Sequence, residues 1–281
     1  MSKSWRRLRM GLSTVMGLAP QGFFIPYRYA GSVPEPGAWP AYSALERLFA
    51  GQEETYRTHL TAMQDLADDL TAIGDAAAPP EPRWGQGWFP RLDAAAGYAM
   101  IRSRRPARLV EVGSGHSTRF YARAAREGGL DTKITAIDPA PRADIAELGV
   151  RTVREVVQAA GEAPFRELVA GDVFSIDSSH ILMPGTDVDF LLNVVLPGLP
   201  AGVLVHIHDI FLPDDYPAAW AWRGYNEQQG VAALVHGGGY ELLWSSRYVA
   251  TRMTGDLASN VTGDLPHFGQ APESSLWLVK R

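Results

Sequence analysis

Two kinds of apolar pattern alternate along this chain. Over 54–73 the apolar positions Leu60, Met63, Leu66, Leu70 and Ile73 recur at three- and four-residue spacing. That spacing predicts one helix with a buried stripe, its Asp65, Asp68 and Asp69 turned to solvent. A second amphipathic helix is expected over 92–101, leading through Arg104, Arg105 and Pro106 into a short apolar run at 109–112. Further short apolar runs follow at 134–137, 150–153, 173–176, 201–207, 240–244 and 276–279, with helical stretches expected at 187–196 and 220–234. Strands separated by helical crossovers are what a parallel sheet requires. The expected fold is therefore α/β and Rossmann-like, a doubly wound, mostly parallel seven-stranded sheet with an N-terminal helical extension. Proline clusters at 31–40 and 79–82 punctuate the first part, and the second of them sets the expected division into an extension over 1–82 and a sheet domain over 83–281.

The stretch LVEVGSGHST at 109–118 joins the first strand to a helix through two glycines. Gly113 and Gly115 carry no Cβ, so the chain can reverse sharply and a ligand can approach its backbone. Ser114, Ser117 and Thr118 add hydroxyls near the N–H groups that open the next helix. The second strand ends in AID, placing Asp138 23 residues after Gly115, where a Rossmann-type fold puts the acid that binds a ribose. A tight strand-to-helix turn alone would also use two glycines; the downstream acid adds the second signal. Dinucleotide binding asks for a third glycine at position 118, where this chain has Thr118, so NAD is disfavoured. Glu111 would repel a pyrophosphate but attract an ammonium group. S-adenosylmethionine carries an ammonium, a sulfonium and a ribose.

The stretch VEVGSGHST with AID resembles motifs I and II of the class I S-adenosylmethionine-dependent methyltransferases. FSIDSSH at 174–180, HIHDIFLP at 206–213 and YNEQ at 225–228 are similar to a bacterial branch of small-molecule and sugar O-methyltransferases. The likeness spans roughly residues 85–245. It implies that Glu111, Gly113, Gly115 and Asp138, with Ser114 and Ser117 in the same loop, contact the cofactor. Ser117 departs from the pattern, since many members carry a third glycine there. The resemblance also implies antiparallel closing strands and methyl transfer to a hydroxyl of a small molecule or sugar.

In open α/β sheets ligands bind beyond the C-terminal ends of the strands. Asp177 closes the fourth strand, and His208 with Asp209 closes the fifth. Hard carboxylate oxygens suit Mg²⁺ or Mn²⁺, and the resemblance implies Asp177 and Asp209 as the metal ligands. Either His180 or His208 would accept the hydroxyl proton, with Asp177 as a third catalytic residue. A histidine inside a strand, such as His206, is more often a hydrogen-bonded core residue. His206 and His208 do share a strand face, so a metal-dependent hydrolase built on the His-x-His-Asp cluster is one alternative. A non-catalytic cofactor-binding scaffold is another. Aromatic residues Trp84, Trp88, Trp220, Trp222 and Tyr225, with Asn226 and Glu227, are candidates for an acceptor pocket.

Composition narrows these classes. The 281 residues are 46% hydrophobic, enough for a full core, and the net charge of −5 offers no footprint for nucleic acid. A small-molecule or sugar acceptor fits better. No cysteine is present, which excludes disulfides and thiolate chemistry and is compatible with a cytoplasmic setting. At the N-terminus Arg6, Arg7 and Arg9 precede an apolar run over 10–27 that Pro20 and Gln21 interrupt. It is too short and broken for a spanning helix. The open readings are weak contact with a membrane surface, or docking on the chain's own domain or on another subunit of a homo-oligomer.

Overall fold

The structure is a computed structural model that describes residues 3–35 and 37–281. Two compact units divide the chain, Met1–Glu35 and Pro36–Arg281. In the first, helix α1 (Lys3–Val15) is followed by a chain reversal. The Ser13 hydroxyl donates to the Ala19 carbonyl (3.3 Å), and the Gln21 N–H donates to Thr14 Oγ1 (3.0 Å). These bonds hold the following segment to the helix end.

The second unit opens with α2 (Ser43–Ala50), α3 (Glu53–Gln64) and α4 (Ala67–Thr71). The helix expected over 54–73 is thus two helices, because Leu66 leaves helical geometry at φ −105° and ψ 19°. Trp84 Nε1 then donates to the Leu70 carbonyl at 3.2 Å and satisfies the end of α4. Leu45, Phe49, Tyr56, Met63 and Leu70, all assigned above to the extension, belong to the same buried core as the sheet.

Helix α5 (Arg91–Arg104) is nearly all small or apolar through its middle, and Leu92 to Ile101 are buried without interruption. It ends where Arg105 turns left-handed (φ 51°) ahead of Pro106. The alternation then runs β1 (Arg108–Val112), α6 (His116–Glu127), β2 (Lys133–Ile137), β3 (Arg151–Val153), α7 (Val157–Ala160) and β4 (Val173–Ile176). After it come α8 (Asp187–Phe190), a π turn, α9 (Leu196–Gly198) and β5 (Leu204–Ile207). The last part holds α10 (Glu227–His236), β6 (Tyr240–Ser245), α11 (Ser246–Arg252), α12 (Thr254–Ala258), α13 (Val261–Asp264) and β7 (Leu276–Lys280).

The seven strands lie in the order β3-β2-β1-β4-β5-β7-β6, as the expected doubly wound sheet requires. Five are parallel, and β7 runs antiparallel to both β5 and β6. Only β7 is therefore reversed, and β6 points the same way as the parallel set. Strands β4 and β5 are buried at every position, the signature of a sheet covered on both faces. Two boundaries differ from the sequence pattern. Gly202 takes φ +87° and delays β5 to Leu204, and Gly224 at φ +68° splits the helix expected over 220–234 into a 3-10 turn (Ala218–Arg223) and α10.

Candidate active site

Adjacent strand ends make the first part of the site. β1 pairs with β2 on one side and with β4 on the other, so Val112, Ile137 and Ile176 stand side by side at the rim. There the chain turns through Gly113 at φ +76°, and a Cβ at this position would lie 1.9 Å from the Asp177 carbonyl oxygen. No other residue fits that approach. The turn opens onto a crevice of about 310 Å³ lined by Gly113, Ser114, Asp138, Ala140, Val157 and Asp177, among others. Asp138 holds the loop in shape: its carboxylate accepts from the Ser114 N–H (2.7 Å), the Ser114 hydroxyl (3.2 Å) and the Ala140 N–H (2.8 Å).

Of the residues expected to contact a cofactor, Gly113, Ser114 and Asp138 line this crevice, whereas Glu111, Gly115 and Ser117 do not. Glu111 points into the start of α6, where it accepts from the Ser117 and Thr118 hydroxyls, both at 2.5 Å. Thr118 Oγ1 in turn accepts from the Gly115 N–H (3.0 Å). Complete burial pushes the Glu111 carboxyl up to about 8, against the pull of its two hydroxyl donors. Ser117, the departure from the family pattern, is therefore a buried partner of Glu111.

The second part of the site lies at the ends of β4 and β5. Register places Ile176 beside Ile207, so Asp177, His208 and Asp209 meet at one edge. His180 sits among three carboxylates: Nδ1 is 2.8 Å from Glu227 Oε2, while Nε2 is 3.2 Å from Asp177 Oδ1 and 3.4 Å from Asp209 Oδ2. His208 Nε2 is bound to Asp93 Oδ2 (3.2 Å), and its Nδ1 faces Asp209 at 3.5 Å and Asp177 at 3.7 Å. That Nδ1 is buried and has no hydrogen-bond partner. Burial disfavours charge on both imidazoles, yet the surrounding acids outweigh it and hold their pKa values well above the ordinary one. Burial likewise opposes ionisation of Asp177, but its hydrogen bond to His180 and the nearby charge of both imidazoles keep its pKa well below the usual range. His180 (φ +61°) and Asp209 (φ +57°) both occupy left-handed backbone, a strain that non-glycine residues keep where surrounding structure compels it.

Residues 110–210 match a family model described as a methyltransferase domain. That stretch is similar to methyltransferase domains. The structure is similar to the SAH-bound Podospora anserina methyltransferase PaMTH1, at 15% identity over 92% of this chain and 99% of that one, with a TM-score of 0.42. It is similar as well to the O-methyltransferase TomG from Streptomyces achromogenes, at 15% identity over 79% and 88% of the two chains (TM-score 0.41). A third such structure is the O-methyltransferase from Bacillus cereus in complex with SAH, at 12% identity over 80% and 91% (TM-score 0.42). No curated protein matches by sequence.

The structure brings Asp177, His180, His208 and Asp209 together as the strand ends lead one to expect, and adds further partners. Asp93, in the first turn of α5, is completely buried and accepts from the backbone N–H groups of Ser274 (3.0 Å) and Ser275 (2.9 Å) as well as binding His208. An acid set inside the apolar run of α5 was the signal available for it. Glu227 is not an acceptor contact but the buried anchor of His180. Asn226 pins the Leu182 backbone through two hydrogen bonds (2.7 and 3.2 Å). His206 stands apart from the site: Nδ1 meets Ser175 (2.9 Å) and Tyr121 (3.1 Å), and Nε2 meets Ser275 (2.9 Å). With both ring nitrogens taken inside the core, it has no lone pair for a metal, which removes the His-x-His-Asp hydrolase site.

A small hollow of about 40 Å³ adjoins the acids, lined by Trp88, Arg142, Asp177, His208, Asp209, Trp220 and Arg223. Trp84 does not reach it and packs in the core against Phe120 (ring centroids 5.2 Å apart). The Arg223 guanidinium lies 3.9 Å from the Trp220 ring centre, and its Nη1 lies 3.9 Å from Asp209 Oδ2. One ligand atom from each of Asp177, His180 and Asp209 lies within 4.8 Å of the others. Two carboxylates facing each other beside an unpartnered imidazole nitrogen are a donor set that a divalent cation would satisfy.

Proposed function

We propose that this protein is a methyltransferase that moves the methyl group of S-adenosylmethionine to a hydroxyl of a small molecule or sugar, with only that hydroxyl entering the small hollow beside Trp88 and Trp220. One observation carries the reading. Asp177 lines both the crevice at β1 and β2 and the hollow at β5, so donor and acceptor sites share a wall. Methyl transfer needs the acceptor oxygen in line with the sulfonium carbon, and such positioning supplies much of the rate. The oxygen bonds to the methyl carbon, the carbon–sulfur bond breaks with its electron pair passing to sulfur, and the hydroxyl proton leaves to an imidazole.

His208 is the acceptor of that proton in this reading, from the neutral form that a cation held by Asp177 and Asp209 would favour by offsetting the acids that raise its pKa. Its free Nδ1 faces the hollow's two acids, and Asp93 fixes the ring from behind through Nε2. His180, with both nitrogens engaged by acids, is better suited to hold Asp177 and Asp209 in place. Asp177 and Asp209 are the residues that would bind Mg²⁺ or Mn²⁺. Such an ion would offset the acids' charge and lower the pKa of the acceptor hydroxyl. We place the protein in the cytoplasm, in keeping with a chain free of cysteine; no described helix is long and apolar enough to cross a membrane.

The test is a methyl-transfer screen on hydroxylated sugars and phenols, with and without EDTA, alongside Asp177→Asn and Asp209→Asn. The reading expects turnover that EDTA lowers and that each variant cuts by about a hundredfold or more. S-adenosylmethionine binding should survive Asp209→Asn. Turnover unchanged in both variants would show that the acids are scaffold.

A further inference from the structure

The N-terminal unit carries a surface that methyl transfer does not use. On α1, Trp5, Leu8, Leu12 and Val15 recur at three- and four-residue spacing, and each is between 52% and 60% exposed. Beyond the reversal, Phe23, Phe24 and Ile25 are exposed to 58–69%. Aromatic and aliphatic side chains gathered this way on one short segment mark an interaction surface. Charge then selects the partner. Residues 1–34 hold five of the 26 basic residues and none of the 31 acidic ones, so this stretch carries +5 against −10 for the remainder. Arg6, Arg7 and Arg9 are exposed on α1 itself. An occupant must therefore be apolar in depth and anionic at its face.

We propose that residues 3–27 dock in the plane of a bilayer surface that contains anionic lipid. Trp5, Leu8 and Leu12 enter the boundary between headgroups and acyl chains, and the arginines meet lipid phosphates. The equivalent segment of a second copy is a poor occupant, because its residues 3–27 bring four like charges and no acid to meet them. The helix is 13 residues long, well short of a span, so attachment is peripheral and salt-reversible. Such docking would give the enzyme access to acceptors that are themselves lipid-bound.

Flotation of the full chain with vesicles tests this. Vesicles of phosphatidylcholine with about 25% phosphatidylglycerol should carry the protein upward at roughly 0.05 M salt and release it at roughly 0.5 M, where charge is screened within a few ångströms. Pure phosphatidylcholine should carry far less. Replacing Arg6, Arg7 and Arg9 together with Gln should weaken partitioning about a hundredfold, near fivefold per charge. Leu8→Asn with Leu12→Asn should abolish flotation, while S-adenosylmethionine binding by both variants shows that the sheet domain is intact. The proposal fails if the wild-type chain stays down with anionic vesicles at low salt, or if either variant floats as well as the wild type. It fails equally if the leucine variant instead converts a dimer to a monomer in sedimentation and vesicles play no part.

Discussion

Glu111 shows how one side chain can read as a ligand and serve as a structural acid. Its position two residues before the glycine turn suggests a partner for a cofactor's ammonium, yet its carboxyl is turned to the hydroxyls of Ser117 and Thr118. Its folded pKa of about 8 lies above its ordinary value of 4.5. The folded state then holds a proton that the unfolded chain has lost between those two pH values, so stability falls as pH rises through this window and levels off above it. Glu111→Gln removes the titration. Across pH 5 to 8 the wild type should lose stability relative to Glu111→Gln by an amount of the order of 3 kcal/mol, measured by urea unfolding at each pH. A constant difference between the two proteins would show that Glu111 is ionised in the fold.

Elements carry the site's geometry through their ends. The most legible strands were the short, mostly apolar runs β4 and β5, because a strand covered on both faces carries few polar positions, here one each in Ser175 and His206. Their terminal residues Asp177, His208 and Asp209 were legible for the same reason. Asp93 was not, since it lies 115 residues from His208 and reaches it only through the packing of α5. Helix boundaries failed where one residue left helical geometry, at Leu66 and Gly224. The turn between β1 and α6 is the most sensitive of these junctions. Gly113→Ala would set a Cβ 1.9 Å from the Asp177 carbonyl oxygen at a φ of +76°. The strand ends would have to part, costing about 2–4 kcal/mol. S-adenosylmethionine affinity should fall together with the thermal midpoint, and Gly115→Ala, whose Cβ would meet nothing closer than 3.7 Å, should cost less on both counts. Equal losses in the two variants would mean that the close approach at Gly113 does not shape the crevice.

At the scale of the whole molecule, buried imidazoles set the acid limit of the fold. The same sheet that presents His208 to the site encloses His206, whose ring is hydrogen-bonded on both nitrogens and whose pKa burial lowers to about 3. His59 and His116 are also lowered, to about 4, by burial and by neighbouring arginines. Each stays neutral in the fold while the unfolded chain takes up a proton near 6.5, so each contributes stability that is lost as pH falls below that value. His180 and His208 have the opposite sign: their raised values favour the folded state on the acid side and withdraw that support as pH climbs. The two sets partly cancel between pH 5 and 7, which is why the individual contribution must be isolated. His206→Asn keeps a polar group among Ser175, Tyr121 and Ser275 but cannot titrate. Its own destabilisation should be about 2 kcal/mol smaller at pH 5 than at pH 7, read from urea midpoints at both values. If the penalty is the same at the two pH values, His206 takes up its proton in the fold as readily as in the unfolded chain, and burial does not lower its pKa.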